Sequence, residues 1–384
     1  MGTHRLAMFL TLVLAAGSGA QQPARWRLVE EWRVGGAADG PHFLGDPRGL
    51  GATKAGGVVV LEYKDQQVHF LDTRGQPVRT VGRRGAGPGE FQQANGLRVA
   101  PNGEVVVNDP SNNRFTVLGP SGDLVRTVPL QPWGYGASWD AYFNKGGRLD
   151  EEIRIRAPGA TSSTGARRVW REDLAAADTV MPAVCPGVSP DPVLFYRYTY
   201  PNGRGYMNAQ YPFIAPWHVR VFTSDGSVWT GKHPDYGVIE RTTFGQCGVR
   251  ATIRLRGSAV RVPRVQYDSA LAMISRMSVG QGAGGPDPTQ VRRTLPSFDF
   301  MYTDVADRLW VGRLKGTNLR FAGYVAFGDT KFEVFDPSGM QVAEADIPIR
   351  MTDRPVVITN DHVYAFTRDE DGMFYLVSLR IVRS

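Results

Sequence analysis

The sequence predicts an all-β protein, a six-bladed β-propeller, and three observations carry that expectation. The first is an internal echo. Gly49-Leu50 recurs as Gly96-Leu97, and Pro77-Val78-Arg79-Thr80-Val81 recurs as Leu124-Val125-Arg126-Thr127-Val128, each 47 residues further on. A period of that length, filled with short strands, is a sign of propeller blades. The second is the run of short β-branched segments separated by Asn-Gly, Asp-Gly and Ser-Gly pairs, the residues that hairpins need at positive φ. The third is bookkeeping of strands. The last blade is one strand short, while residues 26–34 form a strand that no blade claims, so the N-terminal strand is expected to close the C-terminal blade and remove two open edges.

The elements follow in order. Residues 1–20 read as an export signal: His4 and Arg5, an apolar stretch over 6–16, then Gly17-Ser18-Gly19-Ala20 for cleavage. No Cys stands at the cleavage point, which argues against a lipid anchor, and the apolar stretch is short for a membrane span. Residues 21–384 are then a single propeller domain, placed in the periplasm or outside the cell with no transmembrane segment. Blade one takes strands from 48–53, 58–63, 68–71 and 78–81. Blade two takes 97–99, 105–107, 115–117 and 124–128. Blade three is degenerate, with 138–143, 152–156, 168–170 and 179–183. Blade four uses 219–222, 228–230, 238–243 and 249–255. Blade five uses 298–302, 308–311, 332–335 and 342–347, and blade six uses 356–358, 363–366 and 374–381. One short helical insertion is expected over 263–277, with Val265, Leu271, Ile274 and Met277 as its apolar face.

The net charge of +7 comes from dispersed arginines without a basic run, which fits an ion-paired surface and argues against nucleic-acid binding. Only two cysteines occur, Cys185 and Cys247. An oxidising compartment favours pairing them, whereas the strand assignment puts them toward opposite ends of neighbouring blades, so the sequence leaves the disulfide open.

The segment Gly82-Arg83-Arg84-Gly85-Ala86-Gly87-Pro88-Gly89-Glu90-Phe91, followed by Asn108-Asp109-Pro110-Ser111-Asn112-Asn113-Arg114-Phe115, resembles the connector and signature of NHL repeats. The resemblance covers about 80 residues, from Arg48 to Leu130, and the whole is similar to exported bacterial six-bladed propeller proteins. It implies a ligand- or protein-binding toroid and no particular reaction.

Candidate sites follow from where the long connections fall. The insertions over 82–94, 185–216, 257–297 and 312–331 all belong to turns of one face, and long loops on a rigid scaffold are where binding resides. The richest of them offers Tyr196, Tyr198 and Tyr200, with Trp217 and His218 beyond, as ligand-binding candidates for a peptide, glycan or protein partner. The same rings could instead pack the insertion onto its own blade, and Trp133, Tyr135 and Trp139 allow the same two readings. The sequence therefore leans toward a non-catalytic binding or scaffold propeller of the cell envelope with no cofactor. The alternative is a metal-dependent hydrolase or lyase, sugar-lactonase-like, with its site at the channel mouth and Ca²⁺ as a candidate ion. Asn95-Gly96-Leu97 and Asp109 resemble one part of the lactonase metal pattern, but Asp72, Asp109 and Asp336 also read as turn-capping carboxylates. No Gly-Xaa-Ser-Xaa-Gly or His-Glu-Xaa-Xaa-His motif is present.

Overall fold

The computed structural model describes residues 22–36, 44–130, 139–155, 164–185, 195–199, 206–210, 220–232, 236–257, 260–279, 288–298, 300–313, 331–352 and 355–383. The expected signal sequence lies outside them. The first strand, β1 (Ala24–Gly35), precedes a sheet of β2 (Pro47–Ala52), β3 (Val58–Glu62), β4 (Gln67–Leu71) and β5 (Pro77–Val81). The second sheet holds β6 (Gly96–Val99), β7 (Val105–Asp109), β8 (Arg114–Leu118) and β9 (Leu124–Pro129). The third holds β10 (Ala141–Phe143), β11 (Leu149–Ile155), β12 (Thr164–Trp170) and β13 (Ala177–Val180). A separate hairpin, β14 (Phe195–Thr199) with β15 (Tyr206–Gln210), comes before the fourth sheet of β16 (Arg220–Phe222), β17 (Ser227–Lys232), β18 (Val238–Thr243) and β19 (Val249–Arg254). After helix α1 (Arg264–Val279) come β20 (Phe300–Thr303), β21 (Leu309–Arg313), β22 (Lys331–Phe335) and β23 (Gln341–Asp346), then β24 (Val357–Ile358), β25 (His362–Arg368) and β26 (Phe374–Arg383). The result is an all-β chain of small meandering sheets in a propeller-like arrangement. No described helix is long and apolar enough to cross a membrane.

The unclaimed N-terminal strand pairs as its pattern requires. β1 runs antiparallel to β26 from Trp26↔Arg383 to Gly35↔Tyr375. It also pairs in parallel with β23, Ala24↔Ala343 through Arg27↔Asp346, a bond the sequence did not announce. β20–β23, β1 and β26–β24 therefore form one eight-stranded sheet, so the first strand of the chain ties its last two meanders together.

Strands buried on both faces explain the continuous apolar runs. In β3, Val59 and Leu61 join Phe70, Phe91, Leu97 and Val107 between the first two sheets, while Val58 and Val60 face Tyr364, Phe366 and Leu376 of the last meander. In β7, Val106 turns the other way, toward Phe115, Trp139 and Trp170. The echoed glycines have a packing cause. A β-carbon on Gly49 would lie 2.8 Å from Leu97 Cγ, and one on Gly96 would lie 2.6 Å from Trp139 Cβ, so each lets the next first strand approach.

The junction of the third and fourth sheets is built differently. There Arg167 pairs with Asp150, both buried, and also bonds the Tyr142 hydroxyl. Its guanidinium lies 4.8 Å from the Phe222 ring, which stacks on Tyr142 at 5.9 Å. The two cysteines join beside this polar junction: Cys185 and Cys247 form a disulfide with Cα atoms 5.5 Å apart. The opposing-ends argument fails because β13 is only four residues long, so the chain leaves the rim early. The β18–β19 turn leans onto that point, with Gly245 against Val180 and Met181. The third sheet also departs from the expected boundaries, β12 starting at Thr164 rather than 168.

Candidate functional site

The first strands of the meanders lie side by side. β2 neighbours β6 and β24, β6 neighbours β10, and β16 neighbours β20. The Tyr142–Phe222 stack links β10 to β16, and the Val305 N–H donates to the Ile358 carbonyl between the β20 turn and β24. Together they enclose a cavity of about 530 Å³ lined from every one of these strands, within the range of about 300–1,000 Å³ that suits small-molecule sites.

Its charged groups differ in how they are engaged. Arg48, at the start of β2, pairs with Asp46 at 2.9 Å and stacks 3.3 Å over the Tyr63 ring. At the other end of the cavity, Asp304 accepts from Arg308 Nε at 2.6 Å and Trp310 Nε1 at 3.0 Å. Asp307 there accepts from Ser224 N–H and Oγ and pairs with Lys145 at 3.0 Å. Arg220, opening β16, pairs with Glu152 of β11 at 2.5 Å. Burial raises the Glu152 carboxyl above its usual range, Arg220 opposes that, and the nearby charge of Asp140 adds to it.

Arg98 and Asp140 are different. The Arg98 guanidinium donates only to backbone: to Ala141 O, to Leu97 O at 2.7 Å and to Trp139 O at 3.0 Å. It straps β6 to the start of the third sheet, and desolvation pulls its pKa down against the charge of Asp140. Asp140 is exposed to the cavity, and among the described residues its carboxylate enters no ion pair or hydrogen bond.

The residues singled out in the sequence fare unevenly. Tyr196 and Tyr198 lie on β14, opposite Ala209 and Met207 of β15, while Tyr200, Trp217, His218, Trp133 and Tyr135 lie outside the described residues. Trp139 is buried, with its indole N–H on Glu151 at 2.6 Å. Asn95 accepts from Asn108 Nδ2 at 2.8 Å, and Asp109 accepts from the Gln92 and Gln93 N–H groups and Asn112 Nδ2. The NHL-like polar residues thus hold the connector in place. Asp72 and Asp336 cap their turns as read, bonding Arg74 and Gln76 N–H, and Ser338 and Met340 N–H. In α1 the expected apolar face is corrected at Val265, which is 78 % exposed, while Ala270 is buried. Among the described residues no three His, Cys, Asp or Glu side chains converge as a metal site.

Sequence reasoning missed Arg98, Asp140, Glu152 and Arg220. One signal was present: in the 47-residue register Arg98 stands where Gly51 stands, a charge placed on a first strand.

No protein-family model matches the chain, and no curated protein matches it. Among solved structures it is similar to a member of the DUF4221 family from Bacteroides vulgatus. That likeness has a TM-score of 0.50 at 9 % identity and covers 94 % of this chain and 100 % of that one. It is one of fold alone. Virginiamycin B lyase from Staphylococcus aureus aligns at TM-score 0.46 and 11 % identity over 93 % and 100 % of the two chains. The PQQ-bound aldose sugar dehydrogenase from Streptomyces coelicolor aligns at 0.47 and 14 % over 94 % and 99 %.

Proposed function

We propose that this chain is an exported six-bladed β-propeller, NHL-like in its first two blades, that binds a small organic ligand in its axial cavity. The observation that carries the reading is the cavity itself. The first strands of all the meanders line it, and Arg98, Asp140 and Arg220 gather on the side formed by β6, β10 and β16. We assign the hairpin carrying Tyr196 and Tyr198, with Tyr200, Trp217 and His218, to the same binding face, because in the sequence the long connections belong to the turns of one face. Export is supported by the Cys185–Cys247 disulfide, which needs an oxidising compartment.

A second reading has its own observation. Glu152, with its pKa raised by burial, lies behind Arg220 of the cavity lining and feels the charge of Asp140, and a carboxyl poised this way suits general acid–base work in a hydrolase or lyase. The separating experiment is a thermal-shift screen of amino acids, short peptides and oligosaccharides, together with metal analysis of dialysed protein. Saturable stabilisation by one chemical class, with no turnover of it, supports the binding protein. Stoichiometric Ca²⁺ or Zn²⁺ that survives dialysis, or turnover lost in Glu152→Gln, supports the enzyme.

A further inference from the structure

The cavity is two-sided. On the half formed by β6, β10 and β16 it presents Arg98, Asp140 and Arg220, whereas the half formed by β2, β20 and β24 presents Pro355, Val356 and Val357, with its charged groups Arg48, Asp304 and Asp307 already held in ion pairs. Arg220 is neutralised by Glu152, which leaves one cation and one anion without an ionic partner among the described residues. They do not pair with each other, although the charge of Asp140 acts on Arg98.

A guanidinium has five N–H donors, and Arg98 spends three of them on carbonyl oxygens. One N–H remains on each terminal nitrogen, the pair that a carboxylate accepts in bidentate fashion. The three carbonyls fix the fork, so little side-chain entropy is lost when a ligand docks. Asp140, acceptor-only when ionised, offers its oxygens to a donor cation beside that fork.

Building on the cavity-binding reading, we propose that the ligand is a small zwitterion, an amine and a carboxylate close together on an apolar body, as in a free apolar amino acid. Its carboxylate meets Arg98, its ammonium meets Asp140, and its apolar part lies against Pro355, Val356 and Val357. A ligand that fills the cavity but lacks one of the two groups shuts the matching charge away from water without a partner, so the site selects against it.

The test is calorimetric titration of the exported chain with leucine, N-acetylleucine, leucinamide and maltose. Leucine is expected to bind, with N-acetylleucine and leucinamide each weaker by at least about tenfold, as loss of one charge-assisted hydrogen bond implies. Asp140→Asn, at an exposed position with no internal bond, is expected to erase the discrimination against N-acetylleucine and keep that against leucinamide. Equal binding of the three leucine compounds, no binding of leucine, or unaltered discrimination in Asp140→Asn would overturn the assignment. Binding of maltose alone would also overturn it, while leaving the cavity-binding reading in place.

Discussion

Replacing Trp26 by Ala should unlatch the molecule. Trp26 lies in β1, between β23 and β26, and is only 6 % exposed. Its ring centroid is 5.6 Å from that of Trp310, and the guanidinium carbons of Arg308 and Arg383 sit 5.1 and 5.2 Å from it. A buried aromatic removes roughly 150–250 Å² from water, worth about 4–6 kcal/mol at ~25 cal/mol per Å². Truncation in cores costs about 3–5 kcal/mol, and each lost cation–π contact adds about 0.5–1 kcal/mol. The expected loss is therefore about 4–7 kcal/mol, a large share of a domain's usual 5–15 kcal/mol. Urea unfolding followed by circular dichroism reads it as a drop in the midpoint, with Val78→Ala as the control. Val78 is 68 % exposed on the rim strand β5 and should move stability by no more than about 0.5 kcal/mol. A Trp26→Ala loss below about 1 kcal/mol, indistinguishable from Val78→Ala, would refute the idea that β1 holds the last two meanders together.

Two further outcomes follow from the polar junction. Cys247→Ser opens a covalent loop spanning 62 residues, and chain-entropy arguments put the cost near 4 kcal/mol. Wild-type protein under reducing agent should show the same lowered urea midpoint, and an unchanged midpoint in both would contradict the reading. At Asp225, burial favours the neutral acid, but donation from Thr223 and Ser227 and the charge of Arg241 outweigh it and hold the pKa down to about 2. A depressed carboxylate contributes stability above its unfolded pKa of 3.8 and loses it as pH falls toward 2. Because Asp225 is exposed and solvent screens its charge, Asp225→Asn should cost about 1 kcal/mol at pH 7, below the full value of about 1.4 kcal/mol per pKa unit, and the cost should fade as pH falls through about 2. A pH-independent cost would assign the effect to packing.

Most of the strand plan was legible because each strand carries its own signature. Val58 to Leu61 and Val105 to Val107 are apolar on both faces, since each sheet is packed on both sides. The closing role of β1 was legible from the missing partner of the last meander, while its parallel bond to β23 depends on how two rims meet and leaves no local trace. The disulfide was left open for a related reason: its two ends lie 62 residues apart in the sequence, and the end of β13 at Val180 that precedes Cys185 carries no local turn signal. The site was the least legible part. The aromatic hairpin drew attention by composition, whereas Arg98 is a single residue on β6 and Asp140 a single residue just before β10. Their meaning comes from converging on one axis, and only the displaced glycine of the echo hinted at the first.

The most direct test of the axial-cavity account is to fill the cavity and ask whether the ligand is lost. Val356 lines it on β24's side and is half-buried, so Val356→Trp places an indole in the space with modest cost to the core. Titrating the ligand found by the screen into wild type, Val356→Trp and the double variant Tyr196→Ser/Tyr198→Ser separates cavity from hairpin. The account predicts that Val356→Trp weakens binding by at least about a hundredfold, roughly 2.7 kcal/mol, with its unfolding midpoint near wild type, and that the hairpin variant loses far less. Undiminished binding to Val356→Trp, with binding abolished in the hairpin variant, would contradict it.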